Sequence, residues 1–438
     1  MRNREINPQV MVMLAGMLIS FYVVPHLMLL VCAILVIYAL LGVKNSIEAL
    51  TISFLIGYLN PGIFDYVPGV MALRWLILFA AFGRVLYTIM FSEKYIIPRP
   101  VNSLLYFSFI CLTLTIAASF QPMISIVKIV MFTIGVFTVL MAFQLTAHQK
   151  EYWTSWFTTF YFFIVISSLP FIFMSIGYYN NQAGFQGILN QPQAYGIFLA
   201  PFTAYFSTKI LLNEEITNIS IIGMLLGWVS VFLTQARMAF LAVVLSLLIL
   251  IVLKMIIGFP QAKRSKSILT YPVLTAACLM GIILVFNMNP IMDKFSGFIQ
   301  KNYEFDELSD GFQQSRGFLI ERSMENFNDN PIMGIGFGID SRLIDRSSDQ
   351  QIMGIPLGAP TEKGFLFSAI LEEIGIIGTI FFLVFFLGVI KYAFRLPLSS
   401  KHGMFLGCLF VNIAEMVFFS FGGSGLFLWL LIGYSTLE

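Results

Sequence analysis

Apolar runs of bilayer-spanning length follow one another along almost the whole chain, and this decides what it can fold into. They lie near residues 10–24, 27–43, 46–60, 69–91, 101–119, 123–146, 154–177, 194–212, 217–234, 236–257, 268–288, 364–391 and 404–421. A stretch of about 20 apolar residues crosses a bilayer as a helix. The run at 46–60 is marginal, and a last run, 423–436, is short and reads as re-entrant. The expected fold is an all-α polytopic membrane protein with about 12–14 transmembrane helices and one large extramembrane loop. Composition agrees: of 438 residues, 58% are hydrophobic and only 11% charged, against about 25% charged in soluble domains. The 23 acidic and 25 basic side chains cannot cover a soluble surface of this size. That excludes a soluble enzyme, a disordered protein and a nucleic-acid binder. The first run follows Arg2 and Arg4 but lacks a small-x-small cleavage site, so it reads as a retained span. Cys32, Cys111, Cys278 and Cys408 lie in apolar runs, which argues against a disulfide framework.

Lys and Arg in short loops orient the spans. With the N-terminus in the cytoplasm, alternation gives cytoplasmic connections near 44, 92–100, 147–152, 209–216, 258–267 and 392–403. Each is basic, with Lys44, Lys94, Arg99, Lys150, Lys209, Lys254, Lys263, Arg264, Lys266, Lys391, Arg395 and Lys401 in or beside them. The short connections on the other side, 61–68, 120–122 and 178–193, hold no Lys or Arg. The expected organisation is a helical bundle over 1–288, an outer loop over 289–361 and C-terminal transmembrane helices over 362–438. The loop carries 11 acidic and 6 basic residues. Within 313–330, Arg316, Ile320, Ser323 and Phe327 share one helical face, and Asn330-Pro331 ends that helix. Gly334, Gly336 and Gly338 then alternate, a pattern that permits close backbone approach.

Five basic residues lie outside these loops: Arg74, Arg84, Lys128, Arg237 and Lys363. Arg84 reads as a snorkelling side chain at the cytoplasmic side. The other four fall toward the outer leaflet, where charge is costly and usually functional. Each admits a structural ion pair. Together they suit a polyanion at the membrane boundary, such as a lipid pyrophosphate, whose oxygens Arg binds bidentately. Glu362, Glu372, Glu373 and Glu415 are the acids of the same face. Such carboxylates must be paired or protonated, and one of them is a candidate general base, Glu362 first. Asn190 and Gln193 sit where an outer loop enters a span, either as polar caps of a helix start or as amides for sugar hydroxyls. His26, His148 and His402 form no catalytic or metal-binding pattern.

Four stretches resemble the O-antigen ligase/polymerase family of bacterial envelope glycosyltransferases. They are 187–194; Thr234-Gln235-Ala236-Arg237; Ser315-Arg316 followed by the Pro-x-x-Gly-x-Gly of Pro331, Gly334 and Gly336; and the Glu-x-Gly-x-x-Gly of Glu373, Gly375 and Gly378. The resemblance implies a GT-C-like fold in the bacterial inner membrane, with the large loop periplasmic. It implies transfer of glycan from an undecaprenyl-pyrophosphate carrier to an acceptor glycan. No cofactor and no essential metal are implied. Its partners would be the lipid-linked glycan, the acceptor, membrane lipid and a chain-length regulator protein. Arg237 and Arg316 would hold the pyrophosphate, with Arg74 and Lys128 in support. Ligases of the family carry a histidine eleven residues before the glycine of the Glu-x-Gly element. That glycine is Gly375, and the corresponding position here is Gly364. The departure favours a polymerase over a ligase acting on lipid A core, with Glu362 and then Glu373 as base and Gly334, Gly336 and Gly338 closing over the donor. The reading from a different class is a secondary transporter or lipid flippase, whose polar groups would gather near the midplane.

Overall fold

A computed structural model of the chain describes residues 5–91, 97–178, 184–257, 317–343, 351–352, 355–356, 363–416, 419 and 424–437. The run 268–288, Arg316 and Glu362 lie outside the described residues. The helices are α1 (Pro8–Val23), α2 (Leu27–Leu41), α3 (Val43–Gly57), α4 (Val70–Phe91), α5 (Arg99–Ala118), α6 (Pro122–Leu145), α7 (Lys150–Ser168), α8 (Pro192–Leu211), α9 (Asn218–Thr234), α10 (Arg237–Ile257), α11 (Phe318–Asp329), α12 (Leu366–Ala393), α13 (Ser400–Glu415) and α14 (Ser424–Ser435). One short antiparallel ribbon pairs Gln351–Ile352 with Ile355–Pro356.

The protein is an all-α polytopic membrane protein, as expected. Among the described residues, six helical stretches are long and apolar enough to cross a membrane, and α1, α2, α9 and α14 are shorter apolar helices. That is fewer than the apolar runs suggest. Part of the difference lies in the centre of the bundle. Helices α3, α8 and α14 are buried along most of their length. Protein surrounds them instead of lipid, so α3 admits Ser46, Glu48, Thr51 and Ser53 in its buried face. Aromatic rings fill the space between them. Phe54 stacks on Phe427 at 4.2 Å between centroids, and Phe198 on Phe427 at 5.4 Å.

Polar contacts sort the helix ends into two groups. At one end Lys209 and Thr217 bind Glu5 at 2.9 and 2.7 Å. There Tyr38 and Tyr152 both donate to Glu48 at 2.6 Å, and Ser400 at the start of α13 donates its amide and hydroxyl to Glu214. These are the ends that carry the basic loops. At the other end the segment Tyr58, Leu59 and Asn60 pairs with the loop before α8, and the turn between α5 and α6 meets the glycine loop. Helix α14 is not re-entrant. Ser424 bonds Tyr58 at the second end, and Tyr434 bonds Thr154 at the first.

Candidate functional site

The second end is organised by a break in α12. Gly375 has φ 59° and ψ −168°, a conformation essentially confined to glycine. In an unbroken helix the amides of Ile376 and Ile377 would bond the carbonyls of Glu372 and Glu373. Here Ile376 and Ile377 donate instead to Pro331 and Ile332, at 2.9 and 3.3 Å. The freed carbonyls of Glu372 and Glu373 accept from Ile335 and Gly336, both at 2.9 Å. The loop after α11 thus supplies four hydrogen bonds that the helix gives up, and it forms a clasp across the break.

The spacing of the glycines follows from this contact. Gly334 and Gly336 have φ of 74° and 117°. A Cβ on Gly334 would overlap the Glu373 backbone, and one on Gly336 would overlap Ser119. The tight approach expected of these glycines is to α12 and to the α5–α6 turn, where Phe120 donates to Ile335 at 2.8 Å. Gly375→Ala is expected to cost about 1–3 kcal/mol from backbone strain alone, and more through overlap with Ile332. Limited proteolysis within 331–338 measures the loosening.

Under the clasp sits a buried ion cluster. Lys363 lies 3.0 Å from Glu372 and 3.1 Å from Glu373, and the three side chains are at most 4% exposed. Glu372 also accepts from Asn326 of α11 at 2.7 Å and from Ser341 at 3.0 Å. Glu373 accepts from the Gly338 amide at 2.6 Å, and Lys128 of α6 donates to the Gly338 carbonyl. Two cations therefore stand beside two carboxylates. The clasp closes on a fork in which Arg342 donates to Asp340 at 3.1 and 3.3 Å. Those hydrogen bonds, and then the carboxylate's charge, raise Arg342 above its ordinary range.

A second polar seam runs beside the first. Asn190 donates its amide to Tyr58 at 2.8 Å, and Asn60 donates its amide to Ile188. The Asn60 side chain holds Ile176 and Gly187, each at 3.0 Å. On the far side of the same loop, Phe185 donates to Leu233 at 2.9 Å. Gln235 then turns the chain at φ 54°, and Arg237 opens α10. Arg74 is buried in the second turn of α4 against Gly57. The fold so sets Asn190 and the turn before Arg237 on one loop, and Arg74 against Gly57, next to the segment that loop pairs with, with Gln193 exposed at the start of α8. It brings Lys128, Glu373, Gly334, Gly336 and Gly338 to the clasp. Segments around α14 join the two groups, since Tyr58 bonds Ser424 while Phe419 packs on Phe337 at 5.0 Å. Asn60, Asn326 and Ser341 escaped the sequence reading. Asn326 stands three residues after the inward Ser323, so helical spacing carried a signal for it.

These features define a multi-pass membrane protein whose extramembrane loop is built into a broken membrane helix. Residues 222–383 match the family model of the O-antigen ligase, in keeping with the resemblance to the O-antigen ligase/polymerase family. The match takes in Arg237, Arg316, the clasp, Lys363, Glu372 and Glu373, and leaves Arg74, Lys128, Asn190 and Gln193 outside it. No curated protein matches the chain.

Proposed function

We propose that the protein is a polysaccharide polymerase of the bacterial inner membrane, acting at the periplasmic face with its N-terminus in the cytoplasm. It takes glycan from an undecaprenyl-pyrophosphate carrier and passes it to an acceptor sugar. The acceptor hydroxyl forms the new bond to the anomeric carbon as the carbon–oxygen bond to pyrophosphate breaks. The pyrophosphate leaves with the electron pair, and a carboxylate takes the hydroxyl proton. Arg237 and Arg316 neutralise the departing charge. Glu362 is the first choice of base. Glu373 becomes the weaker candidate, because Lys363 and the Gly338 amide already occupy its oxygens.

The observation that carries polymerase over ligase is Gly364. It stands where ligases of the family hold their histidine, and its φ of 76° is one that L side chains rarely adopt. Gly364→His is expected to destabilise the protein by about 1–3 kcal/mol and to confer no ligase activity. The deciding experiment is gel analysis of surface and carrier-linked glycan in a deletion strain. A polymerase leaves single repeat units on the carrier. Long carrier-linked polymer with bare lipid A core would instead establish the ligase reading, which the family's own description favours.

A further inference from the structure

The ion cluster under the clasp accounts for Lys128, Lys363, Glu372 and Glu373, but it leaves Arg74 out. Arg74 is 7% exposed. Its Nε has no hydrogen-bond partner. One terminal nitrogen reaches only the Met71 sulfur, at 3.2 Å, and a thioether is a weak acceptor. Among the described residues no carboxylate lies within ion-pair distance of it. The ionisable groups that face it are the Tyr58 phenol and the Cys32 thiol, neither of them a carboxylate.

The surroundings are shaped for this guanidinium all the same. It lies against Gly57, where any Cβ would overlap it. Gly57 is the last residue of α3, so the negative end of that helix dipole faces the charge. A dipole end supplies only about half an elementary charge, and a buried ion without a full partner is costly. The adjacent residue, Tyr58, holds Asn190, whose Oδ1 is also buried and unpartnered. A spare cationic donor and a spare acceptor therefore flank the same turn of chain. Their complement is an anionic oxygen group with a hydroxyl beside it.

We propose that Arg74 is the counter-charge for the phosphate of a membrane lipid bound where α4 meets the end of α3, with Asn190 accepting from a hydroxyl of its head group. A phospholipid such as phosphatidylglycerol and the pyrophosphate of a polyprenyl carrier share this chemistry. In its carrier form the inference rests on the transfer reaction proposed above. In its phospholipid form it stands without that reaction.

The test compares thermal unfolding of the wild type, Arg74→Met and Arg74→Lys in dodecyl maltoside, a phosphate-free micelle. Each is measured alone, with phosphatidylglycerol and with undecaprenyl pyrophosphate. Without lipid, Arg74→Met should unfold at a higher temperature than the wild type, because an unpartnered buried charge has been removed. Added lipid should raise the wild-type midpoint, raise that of Arg74→Lys less, and leave Arg74→Met unmoved, so that the order reverses. A response to phosphatidylglycerol alone identifies a structural lipid. A response to undecaprenyl pyrophosphate alone identifies the carrier, and failure of glycan transfer alone touches only the proposed reaction. Equal lipid responses of wild type and Arg74→Met would overturn the site. So would a lower lipid-free midpoint of Arg74→Met, which would leave Arg74 as a cap of α3.

Discussion

Arg237→Ala is expected to lower the proposed glycan transfer by about a hundredfold or more, while expression and membrane insertion stay normal. The size is that of removing one donor aimed at developing charge, about 3–4 kcal/mol of barrier. Insertion is spared because Arg237 is only half-buried and opens α10 after the Gln235 turn, so Ala disturbs no helix interior. Two effects coincide at this position. A helix N-terminus presents free amides to an anion, and the guanidinium adds a fork that matches phosphate oxygens. Lys at the same position should restore part of the activity, since it keeps the charge and loses the fork. Transfer by membranes containing the variant, normalised to protein, checks this. Wild-type turnover in Arg237→Ala would remove the α9–α10 turn from the site. Arg316→Ala should match it, and full activity there would detach the loop from the reaction.

Lys363→Met should cost about 3–5 kcal/mol of stability, the usual penalty for removing one partner from a buried ion pair. The wild-type cluster sets two carboxylates against Lys363, with Lys128 bound one residue away at Gly338. Loss of Lys363 leaves two adjacent buried acids, just before the Gly375 break, without the cation they share. The double variant Lys363→Met, Glu372→Gln removes one of those charges, so it should recover part of the loss. Thermal unfolding in detergent reads both. Unchanged stability in Lys363→Met would mean that the cluster does not hold the clasp.

Much of this was legible in the sequence, and the reasons differ from part to part. Hydropathy marked the helices because a bilayer admits only satisfied backbone, and Asn330-Pro331 marked the end of α11. The alternation of basic and non-basic connections matched the two groups of helix ends. The central helices were harder: α3 and α14 are enclosed by protein, so neither their length nor their polarity follows the membrane's rule. The pairing of Lys363 with both Glu372 and Glu373 was only half legible. The adjacent acids stood out, but their partner precedes them by nine and ten residues, and only the extended turn through Gly364 and Phe365 brings it back. Arg74 was visible as an odd charge, yet nothing local announced that Gly57, in another helix, makes its room.

The exchange of hydrogen bonds at Gly375 also bears on assembly. A broken helix entering hydrocarbon would carry two unsatisfied amides and two unsatisfied carbonyls, each costly where no water can reach. The partners of all four lie in 331–336, and these residues precede α12 in the chain. During synthesis they are made first, so they can await the break when α12 arrives. A circular permutation that placed 331–336 after α12 would keep every contact of the finished protein. It would force α12 to enter as a straight helix and to unwind later inside the bundle.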